Sequence, residues 1–199
     1  MRIVGGRWRG RPLAAPSGRD VTRPTTDRNR EAIASMLLSA AGLDLSGVRV
    51  LDAFAGSGAM GLELLSRGAE YATFVERDGR TARVLASNVD ACDARALCRV
   101  VRGDALALAR EGRLDGGPFG IVFLDPPYAM PSTDVRGLVE VLAVNGALAG
   151  GALVAYERAS DAPGLGLEDP SCAMRARMLK HKSYGITSVD LYRMGEHDD

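Results

Sequence analysis

The sequence predicts a doubly wound α/β fold, in which helices cover both faces of a mostly parallel sheet. Short apolar runs alternate with longer amphipathic stretches through most of the chain. The runs VRVLDAF and GIVFLD are almost continuously apolar, which is typical of strands that are buried on both faces. A glycine-rich turn follows the first of these runs and opens a helix.

The first 24 residues are rich in arginine, glycine and proline. This composition favours an extended arm or an irregular loop rather than part of the core. Asp27 then opens a predicted helix, and Gly42 is its stop signal. Apolar residues recur in that helix at helical spacing, at Ile33, Met36, Leu37 and Ala40.

The alternation of strands and helices begins after this helix. Strands are predicted at residues 48–54, 71–75, 97–101, 119–124 and 153–156, and helices at 59–67, 79–91, 105–111 and 133–144. Residues 173–180 and 187–192 predict a closing hairpin that turns at Tyr184-Gly185. The segment before it, residues 161–171, lacks a clear helical period.

Charge is distributed unevenly along the chain, although the formal net charge is zero. Residues 1–30 hold eight arginines and only two acids, and a second basic cluster occupies residues 175–182. Two basic ends that flank an acidic centre predict a polyanionic partner. We therefore divide the chain into a basic arm, residues 1–26, and a catalytic domain, residues 27–199.

Several classes of protein are disfavoured by composition. No apolar run approaches the length of a membrane span, and no apolar segment follows the N-terminal arginines, so we expect a cytoplasmic protein without a membrane partner. Three cysteines without C-x-x-C spacing and two histidines support neither a disulfide framework nor a metal site.

The loop after the first strand reads DAFAGSGAMG from Asp52 to Gly61. At the carboxyl edge of a parallel sheet, such glycines let a ligand approach the backbone and the N–H groups of the next helix. Glu76 follows Gly56 by twenty positions, where an acid accepts hydrogen bonds from ribose hydroxyls. These features fit NAD and S-adenosylmethionine equally.

Two further acids lie at this edge, and the first of them separates the two cofactors. Asp52 would repel a dinucleotide pyrophosphate, whereas it favours the ammonium or sulfonium group of S-adenosylmethionine. We therefore predict S-adenosylmethionine. Asp104 follows the third strand, where it either accepts from an adenine amino group or caps the next helix, and both alternatives stay open.

The fourth strand ends in Asp125-Pro126-Pro127-Tyr128. Two consecutive prolines hold the chain extended and remove two N–H groups, so that backbone carbonyls stay available as acceptors. Asp125 and the Pro126 carbonyl can accept from one NH2 group, while Tyr128 offers a flat face to a base. This pattern predicts methylation of an exocyclic amino group of a nucleobase.

Motifs in order along nearly the whole chain resemble the RsmD family of bacterial 16S ribosomal RNA guanine-N2 methyltransferases. They read RIVGGRWRGRPL, RPTTDRNREAIASML, DAFAGSGAMGLELLSRGA, VERD, GDA, LDPPY and KHKSYGIT. DPPY alone is shared with DNA adenine methyltransferases and indicates only the reaction class. The N-terminal motif and the PTxDRxREA helix start narrow the resemblance to this family.

The resemblance implies a Rossmann-like class I methyltransferase fold with a seven-stranded, mostly parallel sheet whose last strands are antiparallel. The resemblance implies a substrate in 16S ribosomal RNA, alone or in an assembling small subunit. From its unpaired arginines we expect the arm to bind this RNA, and we expect a monomer. Arg28 or Arg30 could reach the methionine carboxylate of the cofactor, and the alternative, in which Asp27 is a helix N-cap and Arg28 a solvated charge, stays open. The implied cofactor-binding residues are Asp52, Phe54, Ala55, Gly56, Ser57 and Gly58 for the methionine part, Glu76 for the ribose, and Asp104 and Ala105 for the adenine. The implied catalytic residues are Asp125, Pro126, Pro127 and Tyr128 around the target base.

Three other functions stay open at this stage. A DNA adenine or cytosine amino methyltransferase would use the same DPPY turn, but it would be favoured by a recognition insertion that the sequence lacks. An NAD-dependent oxidoreductase would use the glycine loop but has no need of DPPY. An RNA-binding module without activity would explain the arm but not the acids at the sheet edge.

Overall fold

The computed structural model describes residues 1–16, 27–169, 172 and 174–195. The strands are β1 (Arg49–Asp52), β2 (Tyr71–Glu76), β3 (Cys98–Arg102), β4 (Phe119–Leu124), β5 (Leu148–Ala159), β6 (Arg177–Tyr184) and β7 (Thr187–Arg193). The helices are α1 (Asp27–Ala40), α2 (Ala59–Ser66), α3 (Gly79–Ala91), α4 (Ala105–Arg110) and α5 (Ser132–Val144). The predicted alternation of strands and helices is confirmed.

One seven-stranded sheet runs through the molecule in the order β3-β2-β1-β4-β5-β7-β6. The pairs from β3 to β5 are parallel, and β7 is antiparallel to both β5 and β6. The direction of the crossovers therefore reverses between β1 and β4. Ligands bind at such a reversal, beyond the carboxyl ends of the strands.

Apolar side chains lie on both faces of the sheet. In β4, Ile121 and Phe123 belong to one buried cluster, whereas Val122 and Leu124 belong to the other. Successive residues of a strand point to opposite faces, so an uninterrupted apolar run fills both layers. The strands around the reversal are thereby held on both sides.

The N-terminal segment is part of this core, so the prediction that it lies outside the core was wrong. Ile3 is fully buried and Leu13 is nearly so, and both belong to the cluster that covers one face of the sheet. The fully buried carboxylate of Glu63 accepts hydrogen bonds from the backbone N–H groups of Val4 (2.8 Å) and Gly5 (2.7 Å). Ile3, Leu13 and the hydrogen bonds to Glu63 thus hold the N-terminal segment against the domain.

Smaller differences occur at the C-terminal end and at the ends of the described ranges. β6 begins at Arg177 rather than at residue 173, and the predicted hairpin is present with its turn at Gly185-Ile186, one residue later than predicted, because Tyr184 still pairs with Thr187. Residues 17–26 of the predicted basic arm lie outside the described ranges. In the part of the chain that is described, none of the helices has the length and apolarity that a bilayer crossing requires.

Candidate active site

A cavity of about 280 Å³ opens beyond the carboxyl ends of β1, β2 and β4. All but one of the residues predicted to form the site line it. They are Asp52, Phe54, Ala55, Gly56, Ser57, Glu76, Asp104 and Ala105 on the cofactor side, and Asp125, Pro126, Pro127 and Tyr128 on the substrate side. The two groups of motifs therefore meet in one space.

The exception is Gly58, which serves the packing of the loop. Its φ is +78°, and a Cβ added there would lie 2.1 Å from Cδ1 of Leu85. A Cβ on Gly61 would lie 2.3 Å from Cε1 of Phe74, so this glycine lets α2 approach β2. A Cβ on Gly56 would meet nothing within 4 Å. Of the three glycines, Gly56 is therefore the one with open space beside it for a ligand.

Asp52 is the most deeply buried acid of the cofactor side. One carboxylate oxygen, Oδ2, accepts from the N–H of Gly61 at 3.0 Å, while Oδ1 is buried and has no hydrogen-bond partner among the described residues. Burial raises the pKa of Asp52 from 3.8 to about 7, with a further contribution from the charge of Glu76, against the lowering effect of the Gly61 hydrogen bond. An orphaned acceptor of this kind fits a cationic group that enters the cavity.

Glu76 and Asp104 already make hydrogen bonds to the backbone. The two carboxylate oxygens of Glu76 accept from Gly56 N (3.0 Å) and Asp78 N (2.7 Å). Asp104 caps α4 by accepting from Ala107 N at 3.0 Å. Each carboxylate oxygen has more than one acceptor site, so capping and cofactor contact are compatible for Asp104.

The DPPY turn forms the opposite wall of the cavity. Asp125 is half-buried, Pro126 is buried, and the Tyr128 side chain is 51% exposed. The N–H of Met130 donates to the Pro127 carbonyl at 2.8 Å and closes the turn. Burial raises the pKa of Asp125 well above its ordinary value, and the negative charges of Glu157 and then Asp52 raise it further.

Sequence reasoning missed Glu157, which lines the cavity and is 5% exposed. A signal was present, because Glu157 ends an apolar run in β5 as Asp52 ends β1 and Asp125 follows β4. The isolated glutamate belongs to no motif, and so that signal is weak.

Arg30 and Arg28 differ sharply in position. Arg30 is 2% exposed and lines the cavity, whereas Arg28 is exposed. The guanidinium of Arg30 donates to Asp27 Oδ1 at 2.8 Å and to the Arg2 carbonyl, and its Nε lies 3.9 Å from Glu63 Oε2. Of the two arginines, Arg30 is the one placed to meet an anionic group in the cavity.

Comparisons with known proteins identify relatives along the whole chain. The sequence model of the family described as conserved hypothetical protein 95 matches residues 1–193. A relative from Escherichia coli K12, ribosomal RNA small subunit methyltransferase D, is 40% identical over 161 residues, which cover 79% of this chain and 74% of the relative. A relative of the same name from Haemophilus influenzae is 32% identical over 195 residues, which cover 97% and 93%.

The fold is similar to that of several solved structures. The Escherichia coli protein YhhF superposes with a TM-score of 0.77 and 33% identity, and the match covers 98% of each chain. A hypothetical protein from Thermus thermophilus gives a TM-score of 0.74 and 31% identity, with 96% of this chain and 98% of that chain covered. The similarity therefore includes the N-terminal segment and the closing hairpin as well as the central sheet.

Proposed function

Because the chain belongs to the family described as conserved hypothetical protein 95, we propose that it methylates the exocyclic N2 amino group of a guanine in 16S ribosomal RNA. The resemblance to the RsmD family is confirmed by the family match and by curated relatives named ribosomal RNA small subunit methyltransferase D. The chain is an S-adenosylmethionine-dependent methyltransferase with a Rossmann-like fold.

One observation carries the proposal. The glycine loop and the DPPY turn line the same cavity, so a cofactor on one wall and an amino group on the other share one space. An NAD-dependent oxidoreductase would not require the DPPY turn, and an RNA-binding module without activity would not require the glycine loop.

The residues present fit S-adenosylmethionine. Asp52 Oδ1, which is buried without a hydrogen-bond partner among the described residues, would accept from the ammonium group of the methionine part. Arg30 would hold the carboxylate, Gly56 would allow close approach, Glu76 would accept from the ribose, and Asp104 with Ala105 would meet the adenine. The cofactor supplies an electrophilic methyl group bonded to a positively charged sulfur.

The substrate wall positions the acceptor nitrogen. Asp125 and the Pro126 carbonyl accept hydrogen bonds from the two N–H groups of the amino group, which favours a pyramidal nitrogen with its lone pair directed into the cavity. The exposed ring of Tyr128 stacks on the base. Positioning and preorganised acceptors then lower the barrier for direct transfer, and Asp125 is placed to take the proton that the nitrogen loses.

The RNA contact is proposed to include the N-terminal segment. Arg2, Arg7, Arg9 and Arg11 are exposed, and the Arg7 guanidinium stacks over the Trp8 ring at 4.3 Å. Although Ile3 and Leu13 anchor the segment, its arginines face solvent and can neutralise phosphates. A base held in the cavity cannot stay paired, so the target lies in a loop or is swung out of its helix.

The proposal extends to the setting of the reaction. A cytoplasmic monomer that acts on RNA of an assembling small subunit is the setting that we propose for this reaction. Gel filtration and parallel assays on naked RNA and on small-subunit particles would test these points.

Methyl transfer from labelled S-adenosylmethionine tests the function itself. The purified protein is incubated with total RNA and, separately, with genomic DNA, and the labelled nucleosides are identified after digestion. We expect label in N2-methylguanosine from small-subunit RNA. Label in adenine or cytosine of DNA would instead support the amino methyltransferase alternative.

A further inference from the structure

Glu157 stands directly beside Asp125 at the end of the sheet. The parallel pairing of β4 with β5 aligns Leu124 with Tyr156, so that Asp125 and Glu157 are the next residues along the two strands. Both point to the face of the sheet that Phe123 and Ala155 occupy, because side chains alternate along a strand. Two carboxyl groups on neighbouring strands therefore face the same space.

That space is where the substrate must enter. Glu157 lines the cofactor cavity and also an adjoining groove of about 300 Å³, and the two openings share Pro126, Pro127, Tyr128 and Met130. The charge of Glu157 contributes to the raised pKa of Asp125, which agrees with an interaction between the two carboxyl groups. A base that lies between the Tyr128 ring and the backbone of Asp125–Pro127 would present its Watson–Crick edge to the carboxyl groups of Asp125 and Glu157.

We infer that Glu157 is a specificity-determining residue that selects guanine by accepting a hydrogen bond from its N1–H. This inference rests on the proposed function, in which Asp125 and Pro126 hold the N2 amino group. Guanine is the base whose amino group neighbours a ring N–H donor. Adenine and cytosine place a ring nitrogen acceptor beside theirs, and a carboxylate facing that lone pair is repelled.

A guanine bound in this way would also offset the repulsion between the neighbouring carboxyl groups of Asp125 and Glu157. Donors on the guanine edge enter between Glu157 and Asp125, whose pKa is raised by burial first and by the charge of Glu157 second. Hydrogen bonds to the charged forms of both acids offset that repulsion. Asp52 is not suited to this task, because it lies at the end of β1 beside the glycine loop and one of its oxygens already accepts from Gly61.

The experiment compares two bases that carry the same amino group. Small-subunit RNA is made by ligation with either guanine or 2-aminopurine at the mapped target, and kcat/KM for methylation is measured for each. The 2-amino group is retained in 2-aminopurine, but its N1 is an acceptor. The variants are Glu157→Gln, whose amide can donate to that acceptor, and Glu140→Gln, a matched control on the exposed face of α5.

The wild-type protein and the control should prefer guanine by about 10²-fold, the usual value of one well-placed hydrogen-bonding pair. Glu157→Gln should reduce the preference to within about 5-fold. An unchanged ratio, with both rates lowered equally, would show that Glu157 is only structural and would overturn the inference. Equal use of both bases by the wild type would overturn it without any variant, whereas failure to methylate guanine at all would overturn the proposed function instead.

Discussion

At about pH 8, Asp52→Asn should stabilise the protein while weakening its cofactor site. The wild-type carboxyl is buried, and its pKa of about 7 stands well above the ordinary value of 3.8. The raised pKa means that the folded protein favours the neutral form of this carboxyl group. The free energy of unfolding therefore falls as the pH rises from 3.8 through about 7, because the unfolded chain loses the proton first. Asparagine removes the charge and can still accept from the Gly61 N–H.

The size of the effect follows from the two pKa values. At about pH 8 the buried charge costs about 4 kcal/mol, and at about pH 5 it costs roughly 1.5 kcal/mol. The new amide NH2 takes the position of the orphaned oxygen and introduces a penalty that does not depend on pH. The free energy of unfolding of the variant minus that of the wild type should therefore be about 2.5 kcal/mol larger at about pH 8 than at about pH 5.

Urea unfolding at the two pH values measures this difference. Asp78→Asn is a matched control, because the pKa of exposed Asp78 is lowered by its hydrogen bonds to the start of α3 and the residue stays charged across this range. Calorimetry on the same Asp52→Asn protein should show S-adenosylmethionine binding about 10- to 100-fold more weakly, through loss of a charge-assisted hydrogen bond. A stability difference that is the same at both pH values would refute the assignment of a buried, ionisable Asp52.

Further predictions concern the substrate side. Tyr128→Ala should lower kcat/KM by an amount equivalent to about 1 to 3 kcal/mol of lost stacking, measured by methyl transfer to small-subunit RNA. The double variant Arg7→Ala/Arg9→Ala should lower the log–log slope of RNA affinity against salt by about 0.7 to 0.9 for each phosphate that is no longer neutralised, with cofactor affinity unchanged in calorimetry; an unchanged slope would place the RNA contact elsewhere. Because the pKa of Asp125 is raised by burial and by Glu157, kcat/KM should rise with pH as Asp125 ionises, and Glu157→Gln should move the midpoint to lower pH. A midpoint that does not move would contradict the interaction of the two acids.

Local motifs made most of the central sheet and the cavity predictable. The glycine loop, Glu76, Asp104 and DPPY each end or follow a parallel strand, and parallel strands bring their carboxyl ends to one edge. The distance along the chain between these motifs does not matter, because the topology rule alone places them together. Most of the cavity residues that end or follow a parallel strand could therefore be predicted from the sequence, whereas Glu157 of β5, which belongs to no motif, was missed.

The N-terminal segment could not be predicted in the same way. Ile3 and Leu13 are isolated apolar residues among arginines and glycines, and no periodicity marks them as buried. The segment is also held by Glu63, which lies far along the chain in α2 and accepts from the backbone of Val4 and Gly5. A tertiary contact between a backbone N–H and a distant acid leaves no local pattern in the sequence.

Because the N-terminal segment is held in the core, its deletion does not test RNA binding alone. Deleting residues 1–22 would remove two core residues and leave the buried Glu63 carboxylate without two of its donors, which is a strongly destabilising change. Loss of methylation in such a deletion would report on folding rather than on RNA binding. Substitution of exposed arginines keeps Ile3 and Leu13 in place and isolates the charge.

The role of Asp125 in holding the target amino group is tested most directly by Asp125→Ala in single-turnover methyl transfer to small-subunit RNA. Calorimetry on the same preparation measures its affinity for S-adenosylmethionine. We expect the transfer rate to fall by about 10²-fold or more, as for the loss of one preorganised group, while the cofactor affinity stays nearly constant. A near-normal transfer rate in a variant that binds the cofactor normally would contradict the assignment of the DPPY turn to the target base.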